Sequence, residues 1–540
     1  MTFNQDEILD IIAPSEPNIP PESSNLSPPE SSNNETLQAQ SRSKFKSCNT
    51  NILPPAISNP RIHPKPPIAM IYSHDSIQLF HKTTKSLHGD RDILLASLLH
   101  SCGFLSHSSS FKSFSPLPFL KIFPPRIASF TIMEQYFHSK DYLQLLQSTP
   151  SETSLKNHSI ETLERYGLTD DCPLPSTSSH HNDFWQYCQL LAGSSLHAAH
   201  LLITNKNINV SIHWGGGRHH AQPSKASGFC YINDVVLAIQ HLLVHKSSSS
   251  SSKNANATRV LYLDIDVHHG DAVQTAFYHT SQVLTCSFHR HDVSFFPYPS
   301  GSHNEKGTGE GLGYNINIPL PPHCQDEDFA QMMTLMYEEI LPVYNPKYVV
   351  MCVGADGLQK DPLLQSMGED GWKFTPEGIA KGIQKMSHYC HSKNIKLLLL
   401  GGGGYKDTQT ALTYLQCTAA ACEGCQPGFY DNLPRDIPKQ DQFFDRYGPT
   451  FELKSHHDTI QTNSQPSKEY YQVLKDGKEC ILLASRYMQG KDIEQSTVLR
   501  SYQSFQDGGG MDTRMDDTWK KETKQSFKNK RKKKRRINKL

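Results

Sequence analysis

The amino-acid sequence predicts an α/β fold with a central parallel sheet sandwiched by helices. Short apolar runs, such as VLYLDIDV at 260–267, alternate with amphipathic segments of helical period, such as NDVVLAIQHLLVH at 233–245. Strands of a parallel sheet are buried on both faces, so they are almost continuously apolar, whereas the covering helices are apolar on one side. The alternation therefore predicts a ligand site beyond the carboxyl ends of the strands.

Four strands and four helices follow this pattern. The predicted strands occupy residues 260–267, 283–288, 348–356 and 396–405, and the predicted helices occupy residues 183–203, 233–245, 326–344 and 375–391. The sequence has no internal repeat, so we expect a single domain rather than a repeat array.

We expect the domain to span residues 67–484, with a disordered tail on either side. Residues 1–66 are rich in Pro, Ser and Asn, so they cannot bury enough apolar surface to offset chain entropy. Residues 485–540 are polar and end in a basic run. Two irregular stretches inside the domain, near 106–119 and 247–257, are expected to be surface loop insertions.

The net charge of zero hides an uneven distribution. Residues 520–540 contain twelve Lys and Arg and one acid, which leaves 41 basic and 52 acidic residues elsewhere. The basic run predicts a nuclear localisation signal, and the acidic body favours a basic, lysine-rich partner. The chain lacks a run of 18 apolar residues and a signal-peptide pattern. Its 13 cysteines lack framework spacing, which favours reduced thiols in the cytosol or nucleus.

A dense group of polar residues ends the predicted strand at 260–267. Because side chains alternate along a strand, we expect Asp264, Asp266 and His268 to point to one face. Buried carboxylates and imidazoles need a metal ion or hydrogen-bond partners, because unpaired polar groups are costly to bury. The segment predicts a metal site, with a polar strand end satisfied by water as the alternative.

Asp356 ends the predicted strand at 348–356 and would reach the same edge of the sheet. With Asp266 and His268 it would provide two oxygens and one nitrogen, leaving a fourth position for water or substrate. An open site with three protein ligands is typical of catalytic zinc. Taken by itself, Asp356 could equally cap the turn that follows it.

Two adjacent histidines, His219 and His220, follow the glycine run of HWGGGRHH. Adjacent loop histidines are commonly exposed to solvent, but here Asp264 and Asp271 flank the predicted metal ligands. Each of these acids could accept a hydrogen bond from one imidazole. Such pairing fixes the tautomer and raises the basicity of the ring, which suits a general base that activates water.

A second glycine run, Gly401–Gly404, precedes Tyr405. It has neither a following GK[ST] nor GxGxxG spacing, so nucleotide binding is disfavoured. Tyr405 is instead expected to donate a hydrogen bond to a developing oxyanion. The CEGC at Cys422–Cys425 has no second CxxC to complete a zinc ribbon.

Taken together, these segments resemble the zinc-dependent histone deacetylases of the class I type, in the arginase/deacetylase superfamily. The motifs RHHAQPSKASGFCYIND, VLYLDIDVHHGDAVQTAFY, SFH, GADGLQKDPL and LLGGGGY occur in the family's order, and the resemblance extends from Pro67 to Leu483. It implies a single arginase/deacetylase-like domain that hydrolyses Nε-acetyl-lysine.

The resemblance implies a role for each matching residue. One Zn²⁺ would be held by Asp266, His268 and Asp356. His220 would act as general base and then general acid, His219 would support it electrostatically, and Asp264 and Asp271 would be their partners. Tyr405 would polarise the acetyl carbonyl. The residues that bind substrate or product would be Gly228, Phe229 and Phe296 in a tunnel, Asp171 and Leu363 at its rim, and Arg91 in an internal acetate channel.

The resemblance also implies structural K⁺ at two places, bound largely by backbone carbonyls. The residues implied are Asp264, Asp266, His268, Ser287 and Phe288 for one ion, and Phe277, Thr280, Val283 and Tyr314 for the other. Two positions depart from family members that work in corepressor complexes. Pro362 and Thr408 replace arginines that contact a bridging inositol phosphate, so we expect any corepressor subunit to bind without that bridge. The rim loop FFPYPSG also departs from the usual FFPGTG.

The sequence thus predicts a deacetylase of acetylated histone tails, or of non-histone chromosomal proteins such as cohesin. It would act in chromatin regulation and transcriptional repression, in the nucleus and also in the cytoplasm, without membrane attachment or sequence-specific DNA binding. Two alternatives stay open: a catalytically silent scaffold for silencing factors, and an amidohydrolase of acetylated polyamines or, with two metals, of guanidino compounds. A lost ligand or tyrosine would favour the scaffold, and a second metal cluster the two-metal enzyme.

Overall fold

A computed structural model describes most of the predicted domain. The described residues are 12–14, 67–107, 113–148, 159–169, 171–174, 183–244, 258–367, 371–454 and 467–490. One compact unit runs from Met1 to Ser485, and a second, Arg486–Leu540, is described only as far as Gly490. The serine-rich insertion, the basic run and most of the N-terminal tail lie outside the described residues.

A sheet of eight parallel strands forms the centre of the compact unit, which confirms the predicted fold class. The strands of the chain are β1 (Ile12–Pro14), β2 (Ile68–Ile71), β3 (Ser106–His107), β4 (Ser113–Phe114), β5 (Leu120–Phe123), β6 (Arg126–Ala128), β7 (Val210–His213), β8 (Val260–Asp264), β9 (Val283–His289), β10 (Asn315–Pro319), β11 (Tyr348–Cys352) and β12 (Lys396–Leu400). The central sheet has the order β10-β9-β8-β11-β12-β7-β2-β5, and each neighbouring pair is parallel. The four strands predicted from the sequence are all present, and they are four consecutive neighbours, β9-β8-β11-β12.

Helices surround this sheet, including the four that the sequence predicts. They are α1 (His74–His88), α2 (Arg91–Ser101), α3 (Phe130–Tyr136), α4 (Lys140–Ser148), α5 (Ile160–Arg165), α6 (Asp183–Thr204), α7 (Asp234–Val244), α8 (Asp271–Phe277), α9 (Asp326–Leu335), α10 (Leu341–Tyr344), α11 (Pro362–Met367), α12 (Pro376–Lys393), α13 (Asp407–Cys422) and α14 (Lys468–Met488). A π-helical turn, Met336–Ile340, joins α9 to α10.

Local sequence explains where the helices begin and end. At the start of α12, Thr375 accepts a hydrogen bond from the N–H of Gly378, and Pro376 occupies the first turn, where its missing N–H costs nothing. The helix ends at Asn394, which has the left-handed φ of 54°. The long helix α6 is buried along most of its length because it packs against both the sheet and α7.

The hydrophobic core lies on the faces of the sheet. Every residue of β7, β8, β9 and β11 is buried. One apolar cluster joins strand residues such as Tyr262 and Val350 to Ala198 of α6 and Val235 of α7. This burial on both faces is the reason that the strands lack the polar alternation of a half-exposed sheet.

The strands at the centre of the sheet, β8, β11, β12 and β7, are consecutive neighbours. All run in the same direction, so the loops after them meet at one edge. These loops contain Asp266 and His268, Asp356, Tyr405, and the histidine pair at 219–220, respectively. The sheet order therefore collects the predicted catalytic residues, as expected for the carboxyl edge of an open α/β sheet.

Strand β8 ends earlier than the sequence suggested, so the prediction that Asp264, Asp266 and His268 lie along one strand face is wrong. The strand stops at Asp264, and the side chain of Asp264 accepts from the N–H of Asp266 at 3.0 Å. The N–H of His268 bonds in turn to Asp266 at 3.0 Å. These side-chain to backbone bonds offer an alternative to the strand ladder and turn the chain.

Three segments differ from the expected tails and loops. Ile12–Pro14, in the predicted disordered tail, pairs antiparallel with Arg126–Ala128. The insertion near 106–119 contains the antiparallel pair β3–β4, which satisfies backbone groups that a plain loop would leave to solvent. Helix α14 continues to Met488, past the predicted domain end at residue 484.

The helices and the cysteines of the described residues bear on two of the sequence predictions. None of their helices is long and apolar enough to span a membrane. Their twelve cysteines are buried and without disulfide partners, including the Cys422–Cys425 pair at the end of α13.

Candidate active site

Three predicted metal ligands, Asp266, His268 and Asp356, lie together at the carboxyl edge of the sheet. Their ligand atoms all lie within 4.8 Å of one another. The ring Nδ1 of His268 lies 3.2 Å from a carboxylate oxygen of Asp266 and 3.0 Å from one of Asp356. All three residues are buried, and a group of two carboxylates and one imidazole is a donor set that suits zinc.

The close approach of two buried carboxylates raises the pKa values of Asp356 and His268. Burial, followed by the neighbouring Asp266, raises the pKa of Asp356 to about 7. Burial opposes protonation of His268, but its hydrogen bonds to the two carboxylates raise its pKa to about 10. The site therefore attracts a positive charge, and a divalent cation could provide it in place of protons.

Backbone groups hold the carboxylates in place. The N–H of Gly403 donates to Asp266 at 2.7 Å, and the N–H of Val267 donates to Asp356 at 3.1 Å. A side chain at Gly403 would come within 2.2 Å of a carboxylate oxygen of Asp356. Glycine at this position lets the loop after β12 pass directly over the metal ligands.

Each of the paired histidines has its own carboxylate partner. His219 Nδ1 lies 2.7 Å from Asp264, and His220 Nδ1 lies 2.8 Å from Asp271. The Asp264 carboxylate also accepts from Tyr262, and the Asp271 carboxylate accepts from Gln222 at 2.9 Å. These bonds place a proton on Nδ1 of each ring. The other ring nitrogen, Nε2, is not used in these hydrogen bonds.

The two histidines differ in charge. Burial disfavours the charged form of His219, but the carboxylates of Asp264 and Asp266 raise its pKa to about 9. Burial, followed by the adjacent His219, lowers the pKa of His220 below its ordinary value of 6.5. At neutral pH His219 is therefore charged, and His220 is neutral and able to accept a proton.

A second cluster of potential ligand atoms joins His219, Asp264 and Cys352. Burial raises the pKa of the Cys352 thiol well above its ordinary value, so the sulfur keeps its proton. Its S–H lies 3.2 Å from the carbonyl oxygen of Gly401. With its proton retained, the thiol is a neutral neighbour of the hydrogen-bonded pair of His219 and Asp264.

Tyr405 lies on the loop between β12 and α13, next to the predicted metal ligands. Its N–H donates to Asp361 at 2.9 Å, and its ring lies 5.5 Å from that of His88 and 5.7 Å from that of Phe229. Burial, followed by the negative charges of Asp356 and Asp266, raises its pKa well above 10. The phenol is therefore neutral and available as a hydrogen-bond donor.

Two of the predicted tunnel residues, Gly228 and Phe296, lie against the general-base candidate His220. The ring of Phe296 lies 4.9 Å from that of His220 and 6.0 Å from that of His268. A side chain at Gly228 would meet the His220 ring at 2.5 Å, so only glycine fits there. The N–H of Gly228 donates to Asp171 at 2.7 Å, which joins the predicted rim acid to a predicted tunnel residue.

Leu363 and Arg91 are both connected to the loop that contains Tyr405. The N–H of Leu363 donates to Asp361, the same acid that binds the N–H of Tyr405. Arg91 is 1 % exposed and donates from Nη1 to the carbonyls of Gly402 and Gly404. Its Nε and Nη2 atoms have no hydrogen-bond partner among the described residues, so this buried cation retains donors for a small anion.

The two sets of residues implied for potassium lie at different ends of β9, since Ser287 and Phe288 lie near its carboxyl end and Val283 is its first residue. Asp264 of β8 and Ser287 of β9 are partners in the strand ladder, which brings the members of the first set together. In the second set, the N–H of Thr280 bonds to the carbonyl of Phe277, and the carbonyl of Tyr314 accepts from Thr285 near Val283. Potassium at either place remains an expectation.

Sequence reasoning missed several residues that hold the site. Asp234 accepts from the N–H groups of Gly217 and Arg218 at 3.0 and 2.7 Å. Asn233 donates to the carbonyls of His219 and Ala221. Both belong to the motif segment CYIND, which was the available signal. Asp361 lies in the motif GADGLQKDPL, but its contact with Tyr405 joins residues too distant in the chain for spacing to reveal.

Comparisons with known proteins agree with this geometry. The family model described as "Histone deacetylase domain" matches residues 105–421. Histone deacetylase 9 of Arabidopsis thaliana is 34 % identical over 360 residues, which cover 66 % of this chain and 75 % of that protein. Histone deacetylase 1 of Homo sapiens is 32 % identical over 356 residues, covering 66 % and 65 %. Histone deacetylase 8 of Xenopus tropicalis is 34 % identical over 359 residues, covering 66 % and 84 %.

Proposed function

This chain belongs to the histone deacetylase family and is a deacetylase, and from that premise we propose that it is a zinc-dependent hydrolase of Nε-acetyl-lysine in histones or other chromosomal proteins. The observation that carries the proposal is the buried cluster of Asp266, His268 and Asp356 next to a neutral His220 and a neutral Tyr405. The cluster offers metal ligands, and the two neighbours offer a base and a hydrogen-bond donor.

The donor set fits a single zinc ion, because three buried ligand atoms lie close together and jointly attract positive charge. Asp266, His268 and Asp356 would hold it. When bound, zinc would lower the pKa of a coordinated water from about 15.7 towards roughly 7 and polarise the acetyl carbonyl.

His220 is the residue suited to move protons. Its Nδ1 proton is held by Asp271, so the unprotonated Nε2 of the neutral ring can take the proton of the attacking water. The same nitrogen can then return the proton to the lysine amine as the amide bond breaks. The charged His219 beside it, paired with Asp264, would stabilise the negative charge that develops.

Tyr405 supports the proposal from the opposite side of the acetyl group. Its neutral phenol can donate to the carbonyl oxygen as that oxygen becomes an oxyanion. Gly228, Phe229 and Phe296 would enclose the aliphatic stem of the lysine, and Asp171 and Leu363 would contact the peptide at the rim. Arg91, whose Nη2 has no hydrogen-bond partner among the described residues, would bind the acetate product.

The chromosomal substrate, the nuclear location and the repressor role remain proposals. The acidic body supports a lysine-rich substrate, and the basic run at 520–540 supports nuclear import. Structural potassium at the two sets of residues named above is also proposed. Because Pro362 and Thr408 replace the expected arginines, we propose activity without an inositol-phosphate bridge. Strong activation of purified protein by inositol phosphates would contradict that part.

The test is acetate release from an acetyl-lysine histone-tail peptide by the purified full chain, with zinc counted in the same sample. We expect turnover with about one zinc per chain. The variant His220→Ala should keep its zinc and lose roughly 10²- to 10⁴-fold in rate. The exposed His279 provides a matched control, so His279→Ala should behave as wild type.

The other outcomes separate the alternatives. No turnover with one zinc bound would indicate a missing partner or a different acyl substrate, which an acetylated polyamine would test directly. No turnover and no zinc would favour the scaffold. Two zinc ions per chain would favour the two-metal amidohydrolase.

A further inference from the structure

The loop that presents Tyr405 has little conformational preference of its own. It begins with Gly401–Gly404, and glycine backbones have access to more φ and ψ values than any other residue. The position of the phenol must therefore come from contacts that hold the loop from outside. Asp361 provides one such contact on the N–H of Tyr405.

A second set of contacts meets the other end of this loop at Asp407. Arg446 donates from Nη2 to Asp407 at 2.7 Å and from Nη1 to Asp90 at 3.0 Å. The N–H of Asp90 also points to Asp407, at 3.4 Å. We refer to Asp90, Asp407 and Arg446 as the arginine clamp.

The clamp joins three parts of the chain that are distant in sequence. Asp90 precedes α2, Asp407 begins α13, and Arg446 lies on a short 3₁₀ turn, Phe444–Tyr447. The next residue after Asp90 is Arg91, whose guanidinium binds the carbonyls of Gly402 and Gly404 within the loop. The junction before α2 therefore contacts the Tyr405 loop at several points, and Arg446 ties this junction to the loop's end.

Further contacts make the clamp close-fitting. Gly89 has a φ of +59°, and a side chain there would come within 3.2 Å of the Asp407 carboxylate. His81 and Lys85 of α1 lie 2.9 and 3.4 Å from the other oxygen of Asp90. Asp441 accepts from Ser97 and Ser101, which holds the segment before Arg446 on α2.

We propose that Arg446 is a positioning residue for Tyr405: by bridging Asp90 and Asp407, it fixes the loop that places the phenol beside the metal ligands. The proposal rests on the proposed function, because it concerns the donor used in that reaction. A planar guanidinium can bind two carboxylates at once, which a single ammonium does less well. A small displacement of a catalytic group lowers rate without removing substrate binding.

The test measures kcat, KM and zinc content of the full chain carrying Arg446→Ala, Arg446→Lys or Arg435→Ala. Arg435 is exposed in the same part of the chain and serves as the control. Arg446→Ala should lower kcat roughly three- to tenfold with KM and zinc unchanged, and Arg446→Lys should lose less. The control should match wild type.

Combining Arg446→Ala with Tyr405→Phe distinguishes positioning from a general loss of structure. Without the phenol, removal of the clamp should have no further effect on the residual rate. An equal loss of kcat in both backgrounds, or an unchanged kcat in Arg446→Ala, would overturn the proposal.

Hydrogen exchange of the segment 401–410, measured by mass spectrometry, gives a readout independent of activity. Exchange should be severalfold faster in Arg446→Ala than in Arg435→Ala. If wild-type protein releases no acetate, the proposed function fails, and the exchange result still decides whether the clamp holds the loop. Equal exchange in the two variants would refute the clamp.

Discussion

Two groups of charged residues contact the Tyr405 loop or its end, and they differ in how their negative charge is balanced. The metal-ligand cluster of Asp266, His268 and Asp356 is buried, with at most 6 % of any residue exposed. In the arginine clamp, the side chain of Arg446 is 43 % exposed and those of Asp90 and Asp407 are 22 % and 23 % exposed. The clamp contains its own cation, whereas the buried cluster depends on protons or a metal ion.

This difference in exposure suits the buried cluster to catalysis and the clamp to holding the loop. In the buried cluster, removal from water shifts the pKa values of Asp356 and His268 strongly. An added positive charge is therefore strongly stabilising there, which suits the cluster to hold a catalytic ion. In the half-exposed clamp, water screens each ion pair, so the clamp contributes geometry rather than reactivity. Mutations should therefore have much larger effects in the buried cluster.

The largest effect is expected from Asp356→Asn, which removes a charged ligand from the buried cluster. Zinc content should fall well below one per chain, and turnover should fall roughly 10³-fold or more, because metal charge stabilisation supplies several kcal/mol. Metal analysis and acetate release measure both. Asp436→Asn, at an exposed acid, is the control. Full zinc content and activity in Asp356→Asn would show that Asp356 is not a ligand.

Tyr405→Phe should have the next largest effect, since it removes the phenol that is proposed to donate to the acetyl carbonyl. Turnover should fall roughly 10²- to 10³-fold, as for loss of one oxyanion donor, while zinc stays bound. Tyr471→Phe, at a tyrosine that is 58 % exposed, should be silent. Retained activity in Tyr405→Phe would contradict both the oxyanion role and the purpose of the clamp.

A smaller effect concerns the protonation of His220. Burial and the adjacent His219 lower its pKa below 6.5, so the neutral form should persist as the pH falls through 6.5. Asp271 acts in the opposite direction through its hydrogen bond, so Asp271→Asn should lower the pKa of His220 further. Nitrogen-15 NMR of the histidines measures the midpoint. A midpoint above 6.5, or an upward shift in Asp271→Asn, would reverse the assignment of His220 as the neutral partner.

The smallest effect is expected from salt, which should act on the clamp and spare the buried cluster. Raising ionic strength from about 0.1 M to 1 M shortens the Debye length from about 10 Å to about 3 Å. The kcat of wild type should fall by about twofold, and that of Arg446→Ala should be insensitive. Equal salt dependence in the two proteins would mean that the clamp does not contribute to rate.

Local sequence was enough to predict the fold class and to identify three residues that the fold brings together as candidate metal ligands. The apolar runs predicted β8, β9, β11 and β12, and the motifs around them contain every residue of the metal cluster. The prediction for Asp264 was less successful, because strand alternation ignores the hydrogen bond that the Asp264 carboxylate accepts from the N–H of Asp266 at the end of β8. Asp361 was missed because its partner, Tyr405, is brought near only by folding.

The sequence by itself therefore determined the alternation of strands and helices, and the kinds of side chain that reach the carboxyl edge of the sheet. Both are local properties, set by apolar periodicity and by residues that directly follow a strand. Only the tertiary structure decided that Asp264 pairs with His219 and Asp271 with His220, and that Arg446 joins Asp90 to Asp407. Such pairings join residues far apart in the chain, and a contact of about 3 Å between them depends on how the helices and loops pack, which no periodicity records.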